Sequence, residues 1–205
     1  MIQENKKIEN TTMILSDGDI RKAIKDGRLG FSPALSADQI GPASCDLRLD
    51  NTFKLFNTAR MSLVDVKKPL PIEFLEETKR RPNEQFILHP TDFVLASTKE
   101  KITVGDDFVV RVEGKSSLAR IGILVHTAGF IDPGFEGQVT LEISNQSNVA
   151  VALYPDMYIC QVAIHQMTNP AEIPYNKRKK SLYMNQKGPV SASTKNLFNK
   201  KGKRS

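Results

Sequence analysis

With 205 residues, 40% of them hydrophobic and 25% charged, the chain has the composition of one soluble domain with a sizeable core. No apolar run approaches the length that spans a bilayer and no signal peptide opens the chain, which makes the cytoplasm the expected compartment. The formal charge of +6 is uneven: ten Lys or Arg and no Asp or Glu follow Pro174, leaving 19 basic against 23 acidic residues, a formal −4, in the remainder.

Residues 1–12 are polar and aperiodic, an extension ahead of Met13. Ser16 and Asp19 resemble a capping box, Ile20, Ala23 and Ile24 follow at helical spacing, and Gly27 is a stop signal. The pattern predicts a short packing helix. From Phe31 onward the signal is β. Strands are expected over Ser44–Leu49, Thr52–Phe56, Phe86–Leu88, Phe93–Thr98, Phe108–Val112, Ile123–Val125, Val149–Leu153 and Ile159–His165. The polar segment Val66–Gln85, with three prolines, reads as a long loop around a short helical piece over Ile72–Thr78. Many short strands with regular turns argue for a barrel or jelly-roll-like sandwich, without a repeat or a second domain. Cys45 and Cys160 lie in apolar strand-like contexts and read as free buried thiols.

Candidate chemistry concentrates between Arg111 and Glu142. Gly114-Lys115-Ser116-Ser117 joins a flexible backbone, an ammonium and two hydroxyls, which suits a phosphate chain. It lacks the glycine of a Walker A loop, Val109 standing there, and an ordinary polar strand end reads equally well from the turn alone. Asp132-Pro133-Gly134 is turn chemistry. Gln138 to Ser144 alternates, so Val139, Leu141 and Ile143 are expected to face the core, with Thr140 and Glu142 together on the opposite face. A carboxylate on a rigid strand beside a phosphate-type loop is a candidate general base, although Glu142 by itself reads as a solvated strand residue.

The segments EGKSSLAR and HTAGFIDPGFEGQVTLE resemble the central signature of the dCTP deaminases, relatives of the trimeric dUTPases. MILSDGDIRKAIKDGRLG and PASCDLRL resemble that family's opening helix and first strand, and YNKRKKSLYMNQKGP resembles its nucleotide-covering tail. The resemblance implies a mainly β, dUTPase-like distorted jelly-roll or β-barrel with a short N-terminal helix, assembled as a homotrimer with active sites between subunits. It divides the chain into the extension 1–12, a nucleotide deaminase domain 13–174 and a basic tail 175–205, of which Lys200–Ser205 is expected to be disordered.

By the same resemblance Glu142 is the general base for hydrolytic deamination of dCTP at C4. Ser116 holds the water or the tetrahedral centre, Arg120 orients and offsets charge, and Asp132 binds the deoxyribose 3′-hydroxyl. Lys115, Ser116, Ser117, Leu118, Ala119 and Arg120 form the nucleotide loop, Thr140, Leu141 and Glu142 line the base, and Gln161, Tyr175 and Gln186 complete the pocket. Gly129 and Phe130, after Ala128, resemble the bifunctional branch that carries dCTP through to dUMP and pyrophosphate. Magnesium is expected on the triphosphate. Zinc is not expected: His89, His126 and His165 are widely spaced, and neither the His-x-Glu nor the Pro-Cys-x-x-Cys element of zinc deaminases is present. His126, just ahead of the Thr-Ala-Gly turn, reads as a structural histidine, with a substrate-adjacent role as the alternative. Two departures from the family pattern stand out: Leu182-Tyr183 where tails often carry Lys-Tyr, and a single residue, Thr127, between His126 and Ala128 where many relatives have two. A dUTPase that stops at dUTP chemistry, a dCTP deaminase that releases dUTP, and a nucleotide sensor or nucleic-acid binder using the basic tail are the competing readings. A membrane partner is not expected.

Overall fold

The structure, a computed structural model, describes residues 13–57, 63–71, 74–126, 130–194 and 197. Residues 1–12, the Thr127–Gly129 segment and Lys200–Ser205 lie outside the described residues.

Period-two burial lays out the two main sheets. Strand β7 (Phe93–Val104) turns Val94, Ala96, Ile102 and Val104 inward. Strand β11 (Glu136–Asn145) runs antiparallel beside it, with Leu141 opposite Ala96 and Ile143 opposite Val94. Strand β9 (Ile123–His126) takes the far edge of β11 at its C-terminal half. The other edge of β7 is shared by β2 (Leu29–Ser32) and β4 (Thr52–Phe56), and β5 (Leu75–Lys79) closes the sheet outside β4.

In the second sheet, β13 (Tyr158–Gln166) has β8 (Phe108–Gly114) on one edge. Its other edge holds β3 (Cys45–Arg48) at one end and β1 (Met13–Ile14) at the other. Strand β10 (Phe130–Ile131) extends this sheet beyond β8, and β6 (Phe86–Leu88) pairs separately with β12 (Val151–Leu153). All pairings are antiparallel. The fold is therefore mainly β. The core lies between the sheets, where Leu47, Val110, Val162 and Ile164 join Val94, Ala96, Leu141 and Ile143 in one buried cluster. Each buried Val, Leu or Ile among them contributes about 1.5–3 kcal/mol of apolar transfer.

Helix α1 (Asp17–Lys25) forms where the spacing places it. Ser16 Oγ accepts from the Asp19 N–H, Ile20 and Ala23 are fully buried, and the chain reverses at Gly27 with φ of 71°. Cys45 and Cys160 are free and buried, as their apolar contexts imply.

The helical piece expected over Ile72–Thr78 is corrected: Leu75–Lys79 is strand β5, paired residue for residue with β4. Glu76 and Glu77 favour helix in isolation, but the open edge of β4 offers backbone partners, and Glu77 sits opposite Lys54 with a 3.6 Å ion pair. Tertiary pairing outweighs local propensity here. Strand β7 also runs six residues past the expected Thr98 end, because Lys99-Glu100-Lys101 hides a buried carboxylate within a charged run.

That carboxylate is fully satisfied. Glu100 Oε1 accepts from Arg48 Nε at 2.7 Å and Gln39 Nε2 at 3.1 Å, and Oε2 accepts from the Arg48 backbone N–H at 2.8 Å. The network ties β3 to β7 through the core. Arg48→Met leaves the charge buried without its cation, and a loss of about 3 kcal/mol is expected in urea unfolding. A loss under about 1 kcal/mol would mean that the pair does not hold the sheets together.

Candidate active site

Strand β11 sets the geometry of the site. Val139, Leu141 and Ile143 point into the core, and Thr140 and Glu142 lie half-buried on the outer face, as alternation requires. They open onto a cavity of about 540 Å³. Its polar lining comes from Asp132, Thr140, Glu142, Tyr175 and Gln186, while Phe93, Leu95, Phe135 and Val139 supply apolar walls. Phe130 lines it as well, its ring under the Arg111 guanidinium at 5.7 Å. The cavity thus gathers the carboxylate, the turn aspartate and the tail residues expected to form the site.

Burial pushes the Glu142 carboxyl above the usual carboxylate range, against a smaller lowering by a backbone hydrogen bond. Across the sheet its register partner is His126, which is exposed. Of the two sequence readings of this histidine, its place beside the candidate base favours the substrate-adjacent one. Asp132 opens a turn closed by the Phe135 N–H to the Asp132 carbonyl at 3.1 Å.

The tail folds back over this strand within the same chain. At its root the Tyr175 N–H donates to Pro133 O at 2.7 Å. The Tyr175 hydroxyl accepts from the backbone N–H groups of Leu182 and Tyr183 at 3.1 and 3.0 Å. The hydroxyl is thus engaged in shaping the tail, and the ring is the part of Tyr175 left for a ligand. Beyond this bend Tyr183, Gln186 and Val190 roof the cavity. Tyr183 was noted in the sequence only as the neighbour of the Leu182 departure, and its place in the roof has no signal in the pattern of residues.

The signature loop is built differently and elsewhere. Ser116–Ala119 is a single helical turn, α2, where a plain turn was expected. Ser116, Ser117, Ala119 and Arg120 are exposed, and among the described residues the side chains of Ser116, Ser117 and Arg120 have no hydrogen-bonding or ionic partner. Leu118 packs on the core. Lys115 is held, with Nζ at 2.7 Å from both carboxylate oxygens of Asp46 on β3. Gln161 belongs to this neighbourhood: it is the register partner of Asp46 and accepts from Ser44 Oγ at 3.3 Å. None of Lys115 through Arg120, nor Gln161, lines the cavity, and Leu141 is fully buried so that only its backbone can meet a ligand. Among the described residues no Lys or Arg lines it.

Over residues 14–167 the sequence matches the family described as dCTP deaminase-like. The chain belongs to that family. It is 46% identical over 191 residues to a protein of Dictyoglomus thermophilum named dCTP deaminase, dUMP-forming, a match covering 92% of this chain and 98% of that one. A protein of the same name from Methanobrevibacter smithii is 45% identical over 185 residues, covering 89% and 95%. Among solved structures, the 2′-deoxycytidine 5′-triphosphate deaminase of Agrobacterium tumefaciens superposes with a TM-score of 0.60 at 23% identity, over 76% of this chain and 48% of that one, and so shares the fold.

Within this dCTP deaminase-like chain the family-motif residues fall into two groups. Asp132, Thr140, Glu142, Tyr175 and Gln186 share the cavity, and the loop from Lys115 to Arg120 stands apart from it. Strand β9 separates them, since His126 pairs with Glu142 while Ile123, nearer the loop, pairs with Asn145, about 10 Å along the strand.

The raised proton affinity of Glu142 has a consequence for stability. Its contribution is fully present below the unfolded carboxyl value and is lost as pH rises through the higher folded value, so the ionised form weakens the fold at neutral and basic pH. Glu142→Gln is therefore expected to raise the melting temperature at about pH 8, with the gain vanishing toward about pH 4. The same melting difference at both pH values would show that Glu142 is not desolvated.

Proposed function

We propose that the protein is a dCTP deaminase that carries its substrate through to dUMP. The observation that carries this reading is Glu142: a half-buried carboxylate of raised proton affinity, fixed on a strand, in a cavity roofed by the tail. The relatives named dUMP-forming, 45–46% identical over most of the chain, support the product.

Deamination needs a base to take a proton from water and an acid to give one to the departing amine. Glu142 suits both roles, because a carboxyl shifted toward neutral pH is a better base when ionised and still holds a proton long enough to pass it on. Water adds to C4 as Glu142 takes its proton. The proton moves to the exocyclic nitrogen, the C4–N bond breaks, and ammonia and a uracil ring remain. A second water attacks the α-phosphorus, which releases pyrophosphate and leaves dUMP. Asp132 takes the 3′-hydroxyl, Thr140 and the Leu141 backbone meet the base, and the Tyr175 ring and Gln186 close over the nucleotide.

A triphosphate carries several negative charges, and among the described residues no Lys or Arg lines the cavity. The exposed Arg120 is a cation of the kind that lining lacks, and Ser116 and Ser117 place two further hydroxyls on the same loop. We assign them to the cavity of a neighbouring copy in a homotrimer, with Ser116 holding the reacting water and Arg120 offsetting charge at Glu142. Lys115 serves there as an anchor of the loop through Asp46. Magnesium would ride on the phosphate oxygens and water; among the described residues no three His, Cys, Asp or Glu form a cage, and a phosphate-held ion requires none. Zinc is not assigned a role: burial pushes the Cys45 thiol up to about 12 and raises Cys160 as well, which disfavours the thiolates that zinc binds. No helix among the described residues is long and apolar enough to cross a membrane, and we place the protein with the cytoplasmic nucleotide pool.

Incubation of the purified chain with dCTP and magnesium is expected to yield dUMP and pyrophosphate with little free dUTP. Glu142→Gln should still bind dCTP while turnover falls by about 10² or more. Accumulation of dUTP as the end product would overturn the dUMP assignment, and turnover within a few-fold of the parent would overturn the role of Glu142.

A further inference from the structure

The tail does not merely lie on the cavity; it is threaded along one strand edge. Strand β9 covers the free edge of β11 only from Glu142 to Asn145. From Glu136 to Thr140 that edge is taken by the tail. The Asn185 N–H donates to Glu136 O at 2.7 Å, the Gln138 N–H donates to Gln186 O at 3.0 Å, and the Val190 N–H donates to Thr140 Oγ1 at 3.2 Å. Gly137 permits the approach, since a Cβ there would stand 3.1 Å from the Gln186 nitrogen.

One side chain fixes where the tail sits. The Gln138 amide nitrogen donates to Asp50 Oδ2 at 2.8 Å and to Thr98 O at 2.9 Å. Both acceptors belong to the body of the fold, and Asp50 is itself held by its N–H to Ser97 O and by accepting from the Asn51 N–H. Two acceptors on one side determine the orientation of the amide, so its oxygen must face the tail. There it accepts the Gly188 N–H at 2.6 Å. Gly188 lies midway between Gln186 and Val190, two of the tail residues that line the cavity. The local register also shifts between Gln138 and Thr140, where the Val139 N–H leaves the ladder for Thr98 Oγ1 at 2.9 Å. The residue left out of the ladder is Val139, while Gln138 keeps its register opposite Lys101.

We propose that Gln138 is a positioning residue that pins the register of the tail on β11, and so sets how Gln186 and Val190 close over the nucleotide. This rests on the dCTP reading for its kinetic consequence but not for its structural one. Gln138 touches no reacting atom. Its effect is transmitted through Gly188, and it falls on substrate binding rather than on chemistry.

The test uses the full chain and two variants at the two ends of the Asp50–Gln138 contact. Gln138→Leu keeps the volume and removes the amide; Asp50→Ala removes the acceptor that orients the amide and leaves the tail's own residues, Lys187 and Gly188 included, unchanged. Tryptic cleavage after Lys187, without nucleotide, reads the tail directly. Gln138→Leu is expected to accelerate it about fivefold or more, in keeping with the loss of one or two neutral hydrogen bonds, with cleavage elsewhere unchanged. For dCTP, KM is expected to rise about five- to tenfold while kcat stays within about twofold, and the double variant should be no worse than the worse single one. Unchanged cleavage after Lys187 in both variants would overturn the proposal, as would KM effects that multiply in the double variant. A parent chain that leaves dCTP untouched would sink the substrate reading alone, because the cleavage comparison needs no turnover.

Discussion

The structure depends on a carboxylate held half out of water on a strand that cannot move. Strand β11 is bonded along one edge to β7 and along the other to β9 and then the tail, and Leu141 and Ile143 root it in the core. A side chain at Glu142 therefore has little freedom to find solvent, and desolvation raises its proton affinity. Mobility at this point would let the carboxylate rehydrate and return to ordinary behaviour. The rigidity of the strand and the chemistry of its side chain are one property.

The same reasoning explains why one chain looks incomplete. Among the described residues the cavity has two carboxylates and no cation in its lining, and the signature loop presents a cation and two hydroxyls that meet nothing. In the proposed homotrimer a neighbouring copy brings such a loop to each cavity. The scaffold that presents the loop runs back to the core. Glu100 and Arg48 fix β3, Asp46 on β3 grips Lys115, and Lys115 opens the helical turn that carries Ser116 and Arg120. A buried ion pair between the sheets thus fixes the base of a loop exposed at the surface.

Much of this was legible in the sequence because it obeys short-range rules. The capped helix at Ser16, the apolar runs that became strands such as β3, β4, β8 and β13, and the inward and outward faces of β11 follow from spacing. The family motifs placed Asp132, Glu142, Tyr175 and Gln186 near one another across more than fifty residues. What escaped was decided by distant partners. Leu75–Lys79 became a strand because β4 presented an edge, and Glu100 was hidden because a buried carboxylate inside Lys-Glu-Lys looks like surface until Arg48 is seen beside it. Gln138 shares the parity of Thr140 and Glu142, yet its meaning comes from Asp50 and Gly188, which lie 88 and 50 residues away along the chain. The loop from Lys115 to Arg120 could be recognised in sequence, but its distance from the cavity could not be read there.

The shared site is tested most directly by mixing two variants that are each disabled in a different half. Arg120→Ala removes the loop cation and Glu142→Gln removes the base, and either protein alone is expected to be nearly inactive. Unfolding and refolding an equal mixture should restore about one quarter of the parental turnover on dCTP, because a site then forms wherever an intact loop meets an intact base on a neighbouring subunit. If both halves of each site came from a single chain, the mixture would remain as inactive as its components.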